Sequence, residues 1–268
     1  MTARSTPESA PDTAELLVER GDGVLTVTFN RPDARNAMTW AMYEGLYAAC
    51  ELADGDPGIR AMVLRGSGTK AFVAGTDIGQ FAEFTSGSDG VAYEARITRV
   101  VNRLEDVDVP TLAAVRGYCV GGGLAIAAAC DLRIGDDTAR FGVPIARTLG
   151  NTLSANSLSL LVHHLGPART LDLLLRADFL GAADAAAAGF LAEVCAPAEL
   201  DDRVGAAAER LLGHAPLTMR ATKELVRRMR RRLLVEDDDV VEAVFGSEDF
   251  AAAVSAFGSR TPVRWQGR

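Results

Sequence analysis

Apolar and polar positions alternate with two different periods along the first half of the chain. Residues 24–29, Val-Leu-Thr-Val-Thr-Phe, alternate every second position and are β-branched or aromatic at most positions, which predicts a strand. Residues 59–65 predict a second strand, and the continuous apolar run 111–115 predicts a buried one. Between them the pattern is helical. Residues 39–52 predict a helix with Thr39 as its N-cap, ended by the turn Asp54-Gly55-Asp56-Pro57-Gly58, and residues 91–104 predict another. An Ala-rich helix over 124–130 and a short strand over 131–134 continue the alternation. Strand and helix in turn are the signature of an α/β fold.

Two interruptions stand out. Residues 71–78 are apolar but broken at Gly75, so the backbone bends and exposes N–H groups around Gly75 and Thr76, with Asp77 placed to cap the next element. Residues 84–90 are rich in Ser and Gly and predict a mobile loop. Beyond Phe141 the pattern becomes helical: 154–165, 167–175, 182–189, 200–212, 217–233, 237–245 and 248–257, with one short strand over 191–195. The basic run Arg227, Arg228, Arg230, Arg231 and Arg232, followed by acidic residues 236–239, reads as a solvated helix face and turn.

The stretch with the most chemistry is Arg116-Gly117-Tyr118-Cys119-Val120-Gly121-Gly122-Gly123-Leu124-Ala125. It joins a buried strand to a helix. A helix start leaves N–H groups without partners and carries partial positive charge, and glycine lets another molecule approach the backbone. The stretch therefore suits an anion or oxyanion; a plain tight turn with close helix packing is the alternative. No Gly-Lys-Ser/Thr follows, so it is not a P-loop, and the dinucleotide spacing Gly-x-Gly-x-x-Gly is absent.

Composition narrows the classes. The formal net charge of -8 argues against a nucleic-acid partner, and no apolar run is long enough to span a bilayer. Cys50, Cys119, Cys130 and Cys195 form no Cys-x-x-Cys pair and read as reduced thiols of a cytoplasmic protein. The histidines are His163, His164 and His214; the adjacent pair diverges on a helix, so no metal site is expected. Residues 1–14 predict a disordered tail, residues 15–196 the core, and residues 197–268 a helical region.

Five motifs occur in order: Asn30-Arg31-Pro32 with Asn36-Ala37-Met38, Phe72-Val73-Ala74-Gly75-Thr76-Asp77-Ile78, the glycine stretch, Cys130-Asp131-Leu132-Arg133, and Ala139-Arg140-Phe141-Gly142-Val143-Pro144. Together they resemble the enoyl-CoA hydratase/isomerase family, the crotonase superfamily. The resemblance implies a β-β-α spiral core with a C-terminal helical trimerisation region, assembled as a homotrimer or dimer of trimers. It implies an acyl-CoA thioester as substrate, bound in a bent shape, with no permanently bound cofactor. It places an oxyanion hole on the backbone N–H groups of Thr76 and Gly122, and CoA contacts on Arg35, Ala37, Ala74, Gly75, Asp77 and Ile78.

The chain departs from that family at the chemistry. The two glutamates that position water in hydratases fall on Ala125 and Ile145, and neither side chain moves a proton. The following segment, residues 147–156, supplies polar groups instead, and Arg147 and Asn151 are the candidates for an electrophilic or water-positioning role. Glu83, Glu94 and Asp77 read as solvated or capping. The reading is an acyl-CoA-processing enzyme that stabilises a thioester enolate or oxyanion, by decarboxylation, C–C cleavage, double-bond shift or thioester hydrolysis. The alternative is an acyl-CoA-binding protein with little turnover.

Overall fold

A computed structural model describes residues 14–257 and 263–268; the expected tail lies, apart from Ala14, outside the described residues. The chain opens with β1 (Leu16–Gly21) and β2 (Val24–Phe29), paired antiparallel, and α1 (Trp40–Gly55). Thr39 caps α1 as expected, its Oγ1 accepting from Met42 N–H (3.3 Å).

A unit of two strands and a helix then repeats. β3 (Ala61–Gly66) and β4 (Ala71–Ala74) precede α2 (Gly87–Glu105); β5 (Thr111–Val115) and β6 (Tyr118–Val120) precede α3 (Gly122–Ala129). β7 (Leu132–Asp136) and β8 (Arg140–Gly142) precede the single turn α4 (Ile145–Thr148) and the long α5 (Ala155–Leu175). In each unit the first strand joins one sheet and the second joins the other. The large sheet runs β1-β2-β3-β5-β7-β10, with β10 at Glu193–Cys195; the small one runs β4-β6-β8-β9, with β9 at Leu180–Gly181. Apart from the end pairs β1–β2 and β8–β9, neighbouring strands are parallel. This is the expected β-β-α spiral.

The middle of the large sheet is covered on both faces, which is why β3 and β5 read as apolar runs. On β3 and β5, Met62, Leu64, Ala113 and Val115 face the main core, while Val63, Leu112 and Ala114 pack with Leu200, Val204 and Ala208 of α7 (Leu200–Leu212). The remaining helices are α6 (Ala182–Ala187), α8 (Pro216–Arg231), α9 (Asp238–Phe245) and α10 (Glu248–Phe257). Among the described residues no helix is long and apolar enough to cross a membrane, and no group of three His, Cys, Asp or Glu side chains is placed to hold a metal.

Two expectations fail. The segment 84–90 is not a loop throughout: α2 begins at Gly87 with a capping box in which Ser86 and Asp89 exchange hydrogen bonds. Its glycines are contact points. A Cβ on Gly87 would stand 2.1 Å from Glu242 O, and one on Gly90 would stand 2.3 Å from Phe245, both on α9. The basic run is a solvated face only at Arg228 and Arg232. Arg230 is buried, donates to Glu105 Oε1 (2.7 Å) and Ser159 Oγ (2.6 Å), and ties α8 to α2 and α5; Arg227 and Arg231 pair with Asp106 (3.0 and 2.9 Å). The rest of the run docks the helix.

Candidate active site

The break at Gly75 and the glycine stretch at 121–123 meet at one cavity. β4 ends at Ala74, and Gly75 turns the chain with φ +95°, a conformation that favours glycine. Residues 74–77 then pair with the 35–38 segment: Ala74 N–H donates to Arg35 O (3.0 Å), Met38 N–H to Gly75 O (2.9 Å) and Asp77 N–H to Met38 O (2.9 Å). In this parallel bridge between Met38 and Thr76, the N–H of Thr76 faces the other way. The 35–38 segment is itself pinned by Asn36, wholly buried, whose amide donates to Ser67 O (3.0 Å) and Ala71 O (2.8 Å) and accepts from Arg31 N–H (2.9 Å). Arg31 reaches on to Asp77 (3.0 Å), while Asp77 Oδ1 caps the next turn by accepting from Gly79 N–H (3.1 Å). The first motif thus shapes the wall of the cavity without lining it.

The glycine stretch supplies the opposite wall. Gly121 takes φ +55° and donates to Gly142 O (3.0 Å), and α3 starts at Gly122. The first bond of α3 runs from Ala125 N–H to Gly121 O (3.1 Å), so Gly122 N–H belongs to the unpaired donors of the first turn. Among the described residues neither Thr76 N–H nor Gly122 N–H has a hydrogen-bond partner.

The cavity between them has a volume of about 220 Å³. Ala74, Gly75, Thr76, Ile78, Gly122 and Asn151 line it. Ala125 and Ile145, the two positions where the resemblance places glutamates, line it too. Of the other CoA-contact positions, Arg35 lies over the Tyr118 ring (5.5 Å), Ala37 O accepts from Arg31 (2.6 Å), and Asp77 is held by Arg31; none of these three lines the cavity. Asn151 Oδ1 is buried and without a partner among the described residues. Arg147 does not line the cavity and stands over the Phe179 ring at 5.9 Å. On the single turn of α4, Ile145, Thr148 and Leu149 face inward, and a residue two positions from Ile145 lies on the other side.

Sequence reasoning missed three groups, Tyr93 and Glu94 in this wall and Tyr43 behind it. Thr76 Oγ1 bonds both the Tyr43 hydroxyl and the Tyr93 hydroxyl, at 2.8 Å each. Burial holds both phenols well above their ordinary range, so they stay protonated. Three O–H hydrogens share two internal bonds, which leaves one hydrogen to donate elsewhere. The third group is Glu94, 6 % exposed, which lines the cavity from α2 and is neither solvated nor a cap of its own helix. Its Oε2 accepts from Ser154 N–H (3.0 Å). Burial pushes its carboxyl up to about 7; the Ser154 hydrogen bonds pull the other way, and the charge of Asp237 adds to the rise. The signal was present in the sequence: Glu94, Ile97, Val101 and Leu104 recur at the spacing of one helix face, and three of the four are core residues of apolar type.

A folded-state pKa above the ordinary carboxyl value sets the sign of a stability effect. Below pH 4.5 both states carry the proton. Between pH 4.5 and about 7 the unfolded chain releases it and the folded chain keeps it, so stability falls as pH rises. Above that window the penalty is constant, on the order of 3 kcal/mol. Glu94→Gln does not titrate, so it should gain on the wild type by about that amount between pH 4.5 and pH 8, read from urea unfolding at each pH.

A sequence profile described as enoyl-CoA hydratase/isomerase matches residues 19–268. The chain belongs to the enoyl-CoA hydratase/isomerase family. It is 35% identical over 247 residues to "Probable enoyl-CoA hydratase echA8" of Mycobacterium bovis, covering 90% of this chain and 94% of that one. It is 30% identical over 246 residues to the short-chain-enoyl-CoA hydratase of Clostridium acetobutylicum, again covering 90% and 94%. Among solved structures it is similar to a methylmalonyl-CoA decarboxylase in complex with 2-nitronate-propionyl-CoA, with TM-score 0.86 and 25% identity over 95% of this chain and 99% of that one. This family member is an enzyme that processes CoA thioesters, and its fold is that of the crotonase superfamily.

Proposed function

We propose that the enzyme holds the carbonyl oxygen of an acyl-CoA thioester between Thr76 N–H and Gly122 N–H and stabilises the enolate or oxyanion formed there. The observation that carries this reading is the pair of unpaired backbone donors facing one cavity, with the start of α3 behind the second. Charge that develops on a thioester oxygen in a low-dielectric wall gains most from donors already fixed in place. Arg35, Ala37, Ala74, Gly75, Asp77 and Ile78 form the strip along which CoA enters. Asn151, with an unsatisfied amide oxygen in the wall, positions the acyl group; Arg147 takes no part.

Ala125 and Ile145 make hydration by paired glutamates on α3 and α4 the wrong chemistry for this cavity. Reactions that need only the enolate suit it: decarboxylation, double-bond shift or C–C cleavage. The structural likeness to a decarboxylase supports the first. Mass spectrometry of a panel of acyl-CoAs incubated with the protein, crotonyl-CoA and methylmalonyl-CoA included, tests the reading. A decarboxylated or isomerised product is expected. Hydrated crotonyl-CoA formed at an enzymatic rate would overturn it.

The assembly we propose is a homotrimer or a dimer of trimers. Supporting it, α8 and the residues after its end expose Leu225 (58 %), Met229 (62 %) and Leu233 (81 %) on one side, and α5 exposes Leu175 (75 %). Leu225, Met229 and Leu233, four residues apart, form an apolar stripe of the kind that marks an interface. Replacing Leu225 and Met229 together by glutamate should reduce the mass measured by light scattering to that of one chain. An unchanged mass would sink this assignment.

A further inference from the structure

We propose that Glu94, presented by α2, is the group that moves the substrate's α-proton at this site. The inference rests on the thioester reading above and adds the proton carrier that reading lacks. Four observations place it. Glu94 shares the cavity wall with Thr76 and Gly122, the two donors for the carbonyl oxygen. Among the described residues it makes no ion pair, so no cation fixes its charge. Its carboxyl titrates near neutrality, where a carboxylate base and its acid are both populated. It also borders a second cavity, of about 320 Å³, lined by Thr98, Ser154, Glu236, Asp237 and Asp238. Glu94 is thus a wall between the acyl cavity and an acidic opening through which a proton exchanges with water.

The charged and titratable groups around it are few. Asp237 lies in the segment that leads into α9, and its Oδ2 accepts from Ala155 N–H (2.5 Å), beside the Ser154 N–H that Glu94 holds. Asp238 of α9 and Glu236 before it line the second cavity, Tyr93 is the neighbour on α2, and Tyr43 faces from α1. All are acidic or neutral, so each favours the protonated carboxyl or leaves it alone.

The step balances. Ionised Glu94 takes the proton from C2 of the acyl group as the C–H bond breaks. The electron pair becomes the enolate π-bond, and the negative charge moves to the thioester oxygen held by the two N–H groups. Neutral Glu94 then returns its proton to C2 or to the far carbon of an allylic system, or loses it to water.

Glu94 has a structural task as well, since it and Asp237 anchor the first two residues at the start of α5. Exchange of deuterium from D₂O into C2 of butyryl-CoA, followed by mass spectrometry across pH, separates the two roles. Thermal protection by butyryl-CoA is measured alongside it. Wild-type protein should bind and exchange, with a limb near pH 7. Glu94→Gln keeps an acceptor for Ser154 N–H, so it should still be protected by butyryl-CoA and lose at least a hundredfold in exchange, with the limb gone. Glu94→Asp keeps the acid but withdraws it, and should exchange about tenfold more slowly with the limb retained. Asp237→Asn removes a charge that raises the Glu94 carboxyl, so it should still exchange, with the limb moved to lower pH. Exchange in Glu94→Gln within a few-fold of wild type would overturn the proposal, as would wild-type protein that binds butyryl-CoA without exchanging it. Should Glu94→Gln fail to fold, undiminished exchange in Glu94→Asp overturns it instead. Absence of both protection and exchange in the wild type would bring down the thioester reading itself.

Discussion

Gly122→Val should lower kcat/KM for acyl-CoA turnover by a thousandfold or more while the protein stays folded. A Cβ at Gly122 would stand 2.5 Å from the Tyr43 hydroxyl and 3.3 Å from Thr76 Oγ1. Tyr43 is wholly buried and bonded to Thr76, so its hydroxyl yields only by breaking that bond. The side chain therefore displaces the Tyr43–Thr76–Tyr93 hydroxyls and fills the space in front of both N–H groups. Loss of one oxyanion donor costs about 3 kcal/mol, and here the second is obstructed as well. The backbone of Gly122 does not lie in the left-handed region, so the substitution carries no conformational strain of its own.

The neighbouring glycine supplies the control. A Cβ on Gly123 would lie 2.3 Å from Val73 O, a backbone atom of β4 that cannot turn aside. Gly123→Val should therefore fail by unfolding, seen in the melting curve, where Gly122→Val, whose Cβ meets only side-chain atoms, should stay folded with a lowered melting point and fail in kinetics. Wild-type kinetics in Gly122→Val would remove Gly122 from the oxyanion site.

The difference between these two glycines was not legible in the sequence, although the bared backbone around them was. Thr76 and Gly122 were readable because the features that free their N–H groups are local. A glycine breaks an apolar run at Gly75, and glycines open a helix at the end of a buried strand. The same locality explains the strands at 24–29 and 111–115 and the helix at 200–212, whose observed bounds coincide with those the pattern predicts. The short strands β6 and β8 span three residues each, too few for a period to register. The start of α2 has a local capping box in Ser86 and Asp89, but the reason for Gly87 and Gly90 inside the helix is α9, and the role of the arginine run depends on Glu105, partners far away in sequence. Local rules assign Gly to loops and Arg to solvent until the partner is known. Glu94 lies between these cases. Its helix and apolar face were legible; that a carboxylate on such a face lines a cavity was not.

A large effect on stability should come from Glu105, and it tests the corrected reading of the arginine run. Glu105 ends α2 and accepts from Arg230 Nε (2.7 Å) and Nη2 (2.5 Å), and from Arg231 Nε (3.0 Å) and Nη2 (2.8 Å). The Arg230 side chain is 3 % exposed and the Glu105 side chain 12 % exposed. Glu105→Leu leaves the Arg230 guanidinium buried with only Asn156 Oδ1 (3.3 Å) and Ser159 Oγ (2.6 Å) as partners. Stranding a buried charge costs about 3–5 kcal/mol. Arg230→Met should cost less, about 2 kcal/mol, because Glu105 keeps Arg231 and a route to water. The double variant should recover part of the loss, since an apolar pair in place of a buried ion pair strands neither charge. Urea unfolding of the three variants reads the cycle. A loss under about 1 kcal/mol in Glu105→Leu would mean that the run faces solvent after all. Because Arg230 also holds Asn156, one residue before the cavity-lining Ser157, the same variant should weaken acyl-CoA binding, linking the docking of α8 to the shape of the site.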